Sequence, residues 1–170
     1  MIKFGTGGWR AIIGDEFIKS NIQLVAQAVA ILMKEDGQNN HAVLEKGIIL
    51  GYDRRFLSDM AAKWIAEVMA GNDIPVKLIN KISPTPLIMY TSKEYENHYS
   101  MAVTASHNPA AYNGIKLFTF GGRDATEDIT IRVEQIISTL KQTDINTLPY
   151  DLGLKKQKSL LQNITSLLKS

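Results

Sequence analysis

Ser106 and His107 stand side by side in "AVTASHNPAAYNGIKLF", residues 102–118, where an apolar run ends in small residues and a second apolar run follows. Adjacency alone proves little: neighbours on an extended chain point to opposite faces, and only a turn brings both to one side. Ser, Asn, Pro and Gly also crowd together in plain turns between strands. The cationic side chains that could meet an anion are Arg10, Arg54, Arg55 and Lys116. A serine in a strand-end turn with cations at hand suits phosphate, because loops at the carboxyl ends of strands in open α/β sheets gather ligands.

Competing chemistries lack their residues. Ser106 is not in a nucleophile elbow, since Thr104 and Asn108 occupy the two glycine positions. Gly5-Thr6-Gly7-Gly8 lacks the Lys-Ser/Thr pair of a P-loop, and Arg10 stands where a dinucleotide fingerprint needs its third glycine. There is no cysteine, the three histidines are far apart, and no Asp-x-Asp or EF-hand loop is present. The chain therefore advertises no complete metal site of its own.

The elements that must position these residues follow from the apolar pattern. Residues 4–13 read as a strand, a glycine turn and a second apolar piece. Residues 21–33 suit a buried helix, with Ser20 as a possible N-cap and Gly37 near its end. Strands at 47–52 and 76–79 alternate with a helix at 58–70 that stops at Gly71. Pro84-Thr85-Pro86 opens a helix continuing over 87–95, strands follow at 100–104 and 115–120, and a helix spans about 126–141 with Glu127 and Asp128 favourable in its first turn. This alternation predicts an α/β fold: a three-layer α/β/α domain with a mixed, largely parallel sheet.

A chain of 170 residues fits one domain of this kind. The net charge is +2, from 19 basic and 17 acidic residues. The cluster Lys155, Lys156 and Lys158 has no interleaved aromatics, which argues for a solvated helix face rather than nucleic acid. No signal peptide or membrane-length apolar run is present, so a soluble, cytoplasmic protein is expected.

"TASHNP" followed by "YNGIK", Thr104 to Lys116, resembles the active-site signature of the α-D-phosphohexomutase family, which includes phosphoglucomutases and phosphomannomutases. "FGTGGWR" at 4–10, "GYDRR" at 51–55 and "PTP" at 84–86 agree in order and spacing. The resemblance implies a phosphoserine enzyme with the fold of the family's first domain. The serine matching Ser106 hands its phosphoryl group to a hexose monophosphate and recovers one from the other oxygen of the bisphosphate, interconverting the 1- and 6-phosphates. It also implies a Mg²⁺ ion, with one ligand from the phosphate on Ser106 and the others from an aspartate-rich loop in a second domain. Glucose 1,6-bisphosphate or a similar ester is the implied activator.

Arg10 and Lys116 match family positions near the phosphoserine. A phosphoserine carries about −1.5 to −2 charges, and a helix terminus worth roughly half a charge cannot balance it, so cations are needed. His107 matches a family histidine that is a candidate for proton transfer, with support of the turn as its other reading, and Asn108 shapes the turn. Gly7 and Gly8, with Gly5, are expected to let their loop approach Ser106 closely; Gly7, Gly8 and Asn108 are the candidate phosphate-binding positions. Arg54 and Arg55 stand where the family often has a single arginine, and a structural ion pair and a ligand contact both fit them.

Family enzymes have four domains, and the resemblance covers only the first. The expected division is a catalytic-serine domain over residues 1–141, then a linker and an amphipathic helix over 155–169 leading toward a second domain that this sequence lacks. Its apolar stripe is Leu160, Leu161, Ile164, Leu167 and Leu168. Mutase turnover by this chain alone is expected to be negligible. The rival reading is a non-catalytic phosphosugar- or phosphate-binding module that kept the fold. "GTGGWR" and "AAYNGIK" lean toward phosphoglucomutase or phosphomannomutase rather than phosphoglucosamine mutase.

Overall fold

The structure, a computed structural model, describes residues 2–156 and 161–164. Its elements run β1 (Phe4–Gly5), β2 (Gly8–Ile12), α1 (Lys19–Asn39), α2 (Ala42–Lys46), β3 (Ile48–Tyr52), α3 (Ser58–Gly71), β4 (Val76–Ile82), α4 (Thr85–Glu94), β5 (Tyr99–Val103), β6 (Tyr112–Thr119), β7 (Arg123–Asp124), α5 (Glu127–Thr139), α6 (Tyr150–Lys156) and β8 (Leu161–Ile164). The strands form one mixed sheet in the order β1-β2-β6-β5-β3-β4-β8, with β7 paired to β6. β5, β3, β4 and β8 are parallel, whereas β1, β2, β6 and β7 pair antiparallel. The parallel half arises because helices carry the chain back between those strands, as the sequence alternation requires.

Two apolar clusters lie on opposite faces of the sheet. The larger joins Trp9, Leu50, Met101, Val103, Ile115 and Leu117 to the inner stripes of α1 and α3. The smaller joins Ile49, Ala102 and Phe118 to Ile88 of α4. Strand alternation therefore sets Gly8, Arg10, Gly114 and Lys116 on the α4 face, opposite Trp9, Ala11 and Ile115. That division places Arg10 and Lys116 together on one face.

The expected helices and strands form, with bounds shifted by a few residues. α1 begins at Lys19 and continues through Gly37, so neither Ser20 nor Gly37 marks an end. Gly37 answers to packing instead: a Cβ there would lie 2.7 Å from Leu44 Cγ, where α2 closes on α1.

The polar segment after α5 is fastened to the helical layer. Gln27 and Asn72 exchange side-chain hydrogen bonds at 3.0 and 2.8 Å, and the backbone N–H of Asn146 donates to Gln27 Oε1. Leu148 N–H donates to the carbonyl of Glu67 and Tyr150 N–H to its carboxylate.

The amphipathic helix predicted for 155–169 is corrected over residues 161–164, while residues 155 and 156 end α6. Residues 161–164 are a strand parallel to β4, pairing Leu161 with Val76 and Ile164 with Ile79. Leu161 joins the larger cluster and Ile164 packs on the smaller one. A three-residue spacing marks one face of a helix, but it marks opposite faces of a strand, and a sheet covered on both sides accepts that pattern. Leu160, Leu167 and Leu168 lie outside the described residues.

Candidate active site

β5 ends at Val103, and the chain leaves the sheet through Thr104 and Ala105 into an exposed turn that carries Ser106 and His107. Ser106 is in the left-handed region, with φ of 54°, a conformation that costs a non-glycine residue about 1–2 kcal/mol. The reversal there brings the two adjacent side chains together: Ser106 Oγ lies 3.3 Å from His107 Nδ1. The turn that adjacency required is thus present, and the hydroxyl and imidazole share one side of it.

Neighbouring strand ends hold this turn in place. Thr104 Oγ1 accepts the N–H of Ser106 at 3.0 Å and donates to Asp53 Oδ2 at 2.7 Å. Asp53 Oδ1 accepts from Ser58 Oγ and from the backbone N–H of Arg55. The Arg55 guanidinium donates to four carbonyl oxygens, those of Ser106 (2.9 Å), Asn108 (2.7 Å), Pro109 (2.9 Å) and Tyr112 (3.0 Å). Its Nε lies 3.4 Å from Asp53 Oδ2. Of the two readings open for Arg55, the structure selects the structural one: its donors are spent on the loop. Arg54 is exposed and lines, with Phe56, Asn108 and Ala110, a cleft of about 550 Å³ beside that loop.

Arg10 and Lys116 project from adjacent antiparallel strands on one face, with Arg10 opposite Gly114 and Lys116 opposite Gly8. They are one diagonal step apart, within reach of a common anion for side chains of their length. Lys116 has Gly8 on one flank and Ala102 on the other, so small residues leave room above it. Its ammonium is 2.7 Å from Asp124 Oδ1, a carboxylate with which any other anion would compete. Arg10 is half-buried, and its side chain makes no hydrogen bond or ion pair among the described residues.

The glycine loop packs elsewhere than expected. A Cβ on Gly8 would lie 3.0 Å from the carbonyl oxygen of Ile115, and one on Gly7 would lie 3.5 Å from Asp124 Cβ. Gly7 also takes a φ of 68°, and its carbonyl accepts from Leu117 N–H. These glycines admit β6 and β7, bringing the Lys116–Asp124 pair under the loop, rather than a close approach to Ser106. Asn108 is half-buried and its backbone turns the loop, with N–H donating to the Ala105 carbonyl.

Asp53, Thr104 and Asp124 were not singled out as site residues by sequence reasoning. Asp53 could have been found from its position two residues before Arg55 and five before Ser58, where an aspartate at a strand end closes a local turn. Nothing local marks Asp124, which acts across a strand pair. Among the described residues no three His, Cys, Asp or Glu side chains converge as a metal site. The oxygens of Asp53 are already engaged, so the residues present do not complete a cage for a divalent cation. No helix among them is long and apolar enough to cross a membrane.

The family described as "Phosphoglucomutase/phosphomannomutase, alpha/beta/alpha domain I" matches residues 1–144. A phosphoglucomutase of Staphylococcus haemolyticus is 28% identical over 167 residues, which are 96% of this chain and 28% of that protein. A phosphoglucosamine mutase of Prochlorococcus marinus (strain MIT 9215) is 31% identical over 159 residues, 93% of this chain and 33% of that protein. The solved open form of pp63/parafusin, a phosphoglucomutase from Paramecium, superposes with a TM-score of 0.72 at 20% identity, over 99% of this chain and 31% of that one; this is a likeness of fold. The chain spans about a third of the length of the proteins it matches. Identities of 28% and 31% to relatives of two names do not favour phosphoglucomutase over phosphoglucosamine mutase.

Proposed function

The chain belongs to the phosphoglucomutase/phosphomannomutase family as its α/β/α domain I, and on that premise we propose that it is the phosphoryl-carrying domain of a phosphohexomutase, with Ser106 as the carrier. The observation that carries this reading is the Ser106–His107 pair, with Oγ 3.3 Å from Nδ1 on an exposed turn whose backbone is fixed from two sides. A hydroxyl that merely helped to bind phosphate would not need a proton acceptor beside it.

Each residue then has a role. In loading, Ser106 Oγ attacks a phosphorus of a hexose bisphosphate. A bond from Oγ to phosphorus forms as the bond from phosphorus to the sugar oxygen breaks. His107 Nδ1 takes the hydroxyl proton, and the departing sugar oxygen ends as a hydroxyl. In the reverse sense phosphoserine gives its phosphoryl group to a free hydroxyl of a hexose monophosphate, and the serine regains its proton. Reorientation of the bisphosphate between the two steps interconverts the 1- and 6-phosphates. Arg10, unpaired on the α4 face, and Lys116, on exchanging Asp124 for phosphate, offset charge on the transferring group.

The Mg²⁺ ion of the proposed intact site would take an oxygen of the phosphate on Ser106 and its other ligands from residues beyond this domain, and it would add charge neutralisation. Sugar selection and full turnover likewise belong to such further residues. The chain alone is proposed to load and unload Ser106 without sustained isomerisation.

The test is a single-turnover release assay. Wild-type chain mixed with a limiting amount of glucose 1,6-bisphosphate releases glucose monophosphate in step with protein phosphorylation, and Ser106→Ala releases none. A chain that binds the bisphosphate and releases no monophosphate would be the binding module instead.

A further inference from the structure

Arg55 lies in a motif whose role the sequence left open, and its side chain is the most heavily engaged group near Ser106. The Ser106 backbone has one donor and one acceptor. The acceptor takes a hydrogen bond from Arg55 Nη2 at 2.9 Å. The donor goes to Thr104 Oγ1, which is itself fixed by Asp53, two residues before Arg55. Both backbone groups of the serine are therefore held by the turn that ends β3. The remaining Arg55 bonds, to Asn108, Pro109 and Tyr112, fix the rest of the loop down to the start of β6. A planar guanidinium presents five donors in a rigid fork, and four of the carbonyls of this loop are arranged around it.

We propose that Arg55 is a positioning residue for phosphoryl transfer: it holds Ser106 in the left-handed conformation that faces Oγ toward His107. The inference rests on the phosphoserine reading above and deepens it. Without this fork the serine would relax from φ of 54° toward ordinary backbone angles, and the hydroxyl would swing away from the imidazole while the sheet beneath stayed intact. The loop has no helix or strand of its own between β5 and β6; without Arg55 the Pro109 carbonyl would keep the N–H of Tyr112, and the carbonyls of Ser106 and Asn108 would return to water. Arg10 and Lys116, standing on strands, would keep their places and continue to attract the anion.

This separates positioning from stability and from binding. The experiment uses the full chain with glucose 1,6-bisphosphate as the phosphoryl donor and compares wild type with Arg55→Ala, Arg55→Lys and Arg132→Ala. Arg132 pairs with Glu35 and Asp36 in the helical layer and serves as a control for a lost arginine ion pair. Circular dichroism gives the folded fraction of each. The saturating rate of Ser106 phosphorylation in folded Arg55→Ala should fall about 100-fold, the scale of a small misplacement of reacting groups. The donor concentration at half-saturation should stay near the wild-type value. Amides from Ser106 to Tyr112 should exchange faster while those of α1 and α3 keep their protection.

Arg55→Lys, which has three donors on one nitrogen, should fall between the two, and it serves if Arg55→Ala does not fold. Arg132→Ala should change neither rate nor loop exchange. A wild-type loading rate in folded Arg55→Ala or Arg55→Lys, or loop exchange unchanged from wild type, would overturn the proposal. If wild-type chain takes up no phosphate, the phosphoserine reading fails, and the exchange comparison still decides whether Arg55 orders the loop.

Discussion

Arg55 Nη2 donates to the carbonyl of Ser106 at 2.9 Å, so an arginine just past the end of β3 fixes the backbone of a serine just past the end of β5. The two strands are parallel neighbours, pairing Tyr52 with Val103, and their carboxyl ends emerge side by side. An exposed loop at such a place needs support from the adjoining loop, and here that support is a fork of hydrogen bonds.

Ser106 is in a conformation that glycine adopts at no steric cost. Ser106→Gly is therefore expected to be more stable than Ser106→Ala by about 1 kcal/mol, although both lose the hydroxyl. Urea denaturation of the two variants measures the difference. Equal midpoints would mean that the turn is relaxed in solution.

His107 is exposed and bonds only to Ser106 among the described residues. Replacing it with Gln should change stability by no more than about 0.5 kcal/mol. Phosphorylation of Ser106 should nevertheless slow by about 100-fold or more, the usual scale for a lost proton acceptor. Quench-flow kinetics compared with thermal melts separates the two effects. Unchanged kinetics would assign proton transfer elsewhere.

Glu134 joins α5 to the first strand. Its carboxylate accepts from Lys3 Nζ at 2.8 Å and from Phe4 N–H at 2.6 Å, and these bonds hold its pKa below the usual glutamate value. The folded form therefore resists protonation more than the unfolded chain does. The resulting stabilisation is complete above the unfolded value of about 4.3 and is lost as pH falls through the lower folded value. Glu134→Gln should cost about 1 kcal/mol at neutral pH, and the gap to wild type should close in acid. A gap independent of pH would remove this link.

Asn72 is buried and bonds to Gln27, Lys34 and the Val68 carbonyl. Asn72→Ala leaves Gln27, which holds the backbone of Asn146, without its partner and should cost about 1–3 kcal/mol. Exchange at amides 146–150 should rise with it. Loss of stability with no change at those amides would show that the segment is held by other contacts.

Residues whose environment is local were legible in the sequence. Ser106 and His107 were identified from one turn, and β3, α3 and β5 from their apolar periods. Arg10 and Lys116 were among four candidate cations read from residue type, resemblance singled them out, and strand register then set them on one face. What escaped depended on distant partners. Gly37 looks like a helix end but admits Leu44 from another helix. Gly7 and Gly8 were expected to approach Ser106, yet they face β6 and β7, because a glycine records only that something comes close, never what. Leu161 and Ile164 have a spacing that serves a helix face or the two faces of a covered strand, and only the open edge of β4 decides between them. Asp124 reaches Lys116 across a strand pair that no local pattern announces.

The proposed role of Ser106 is to accept and return a phosphoryl group. Intact mass spectrometry of the chain after incubation with glucose 1,6-bisphosphate, with peptide fragmentation to place the added group, tests it most directly. The expected result is a single phosphoryl group, localised to Ser106, absent from Ser106→Ala and removed on adding excess glucose monophosphate. A wild-type chain that stays unmodified, or one modified at another residue, would contradict it.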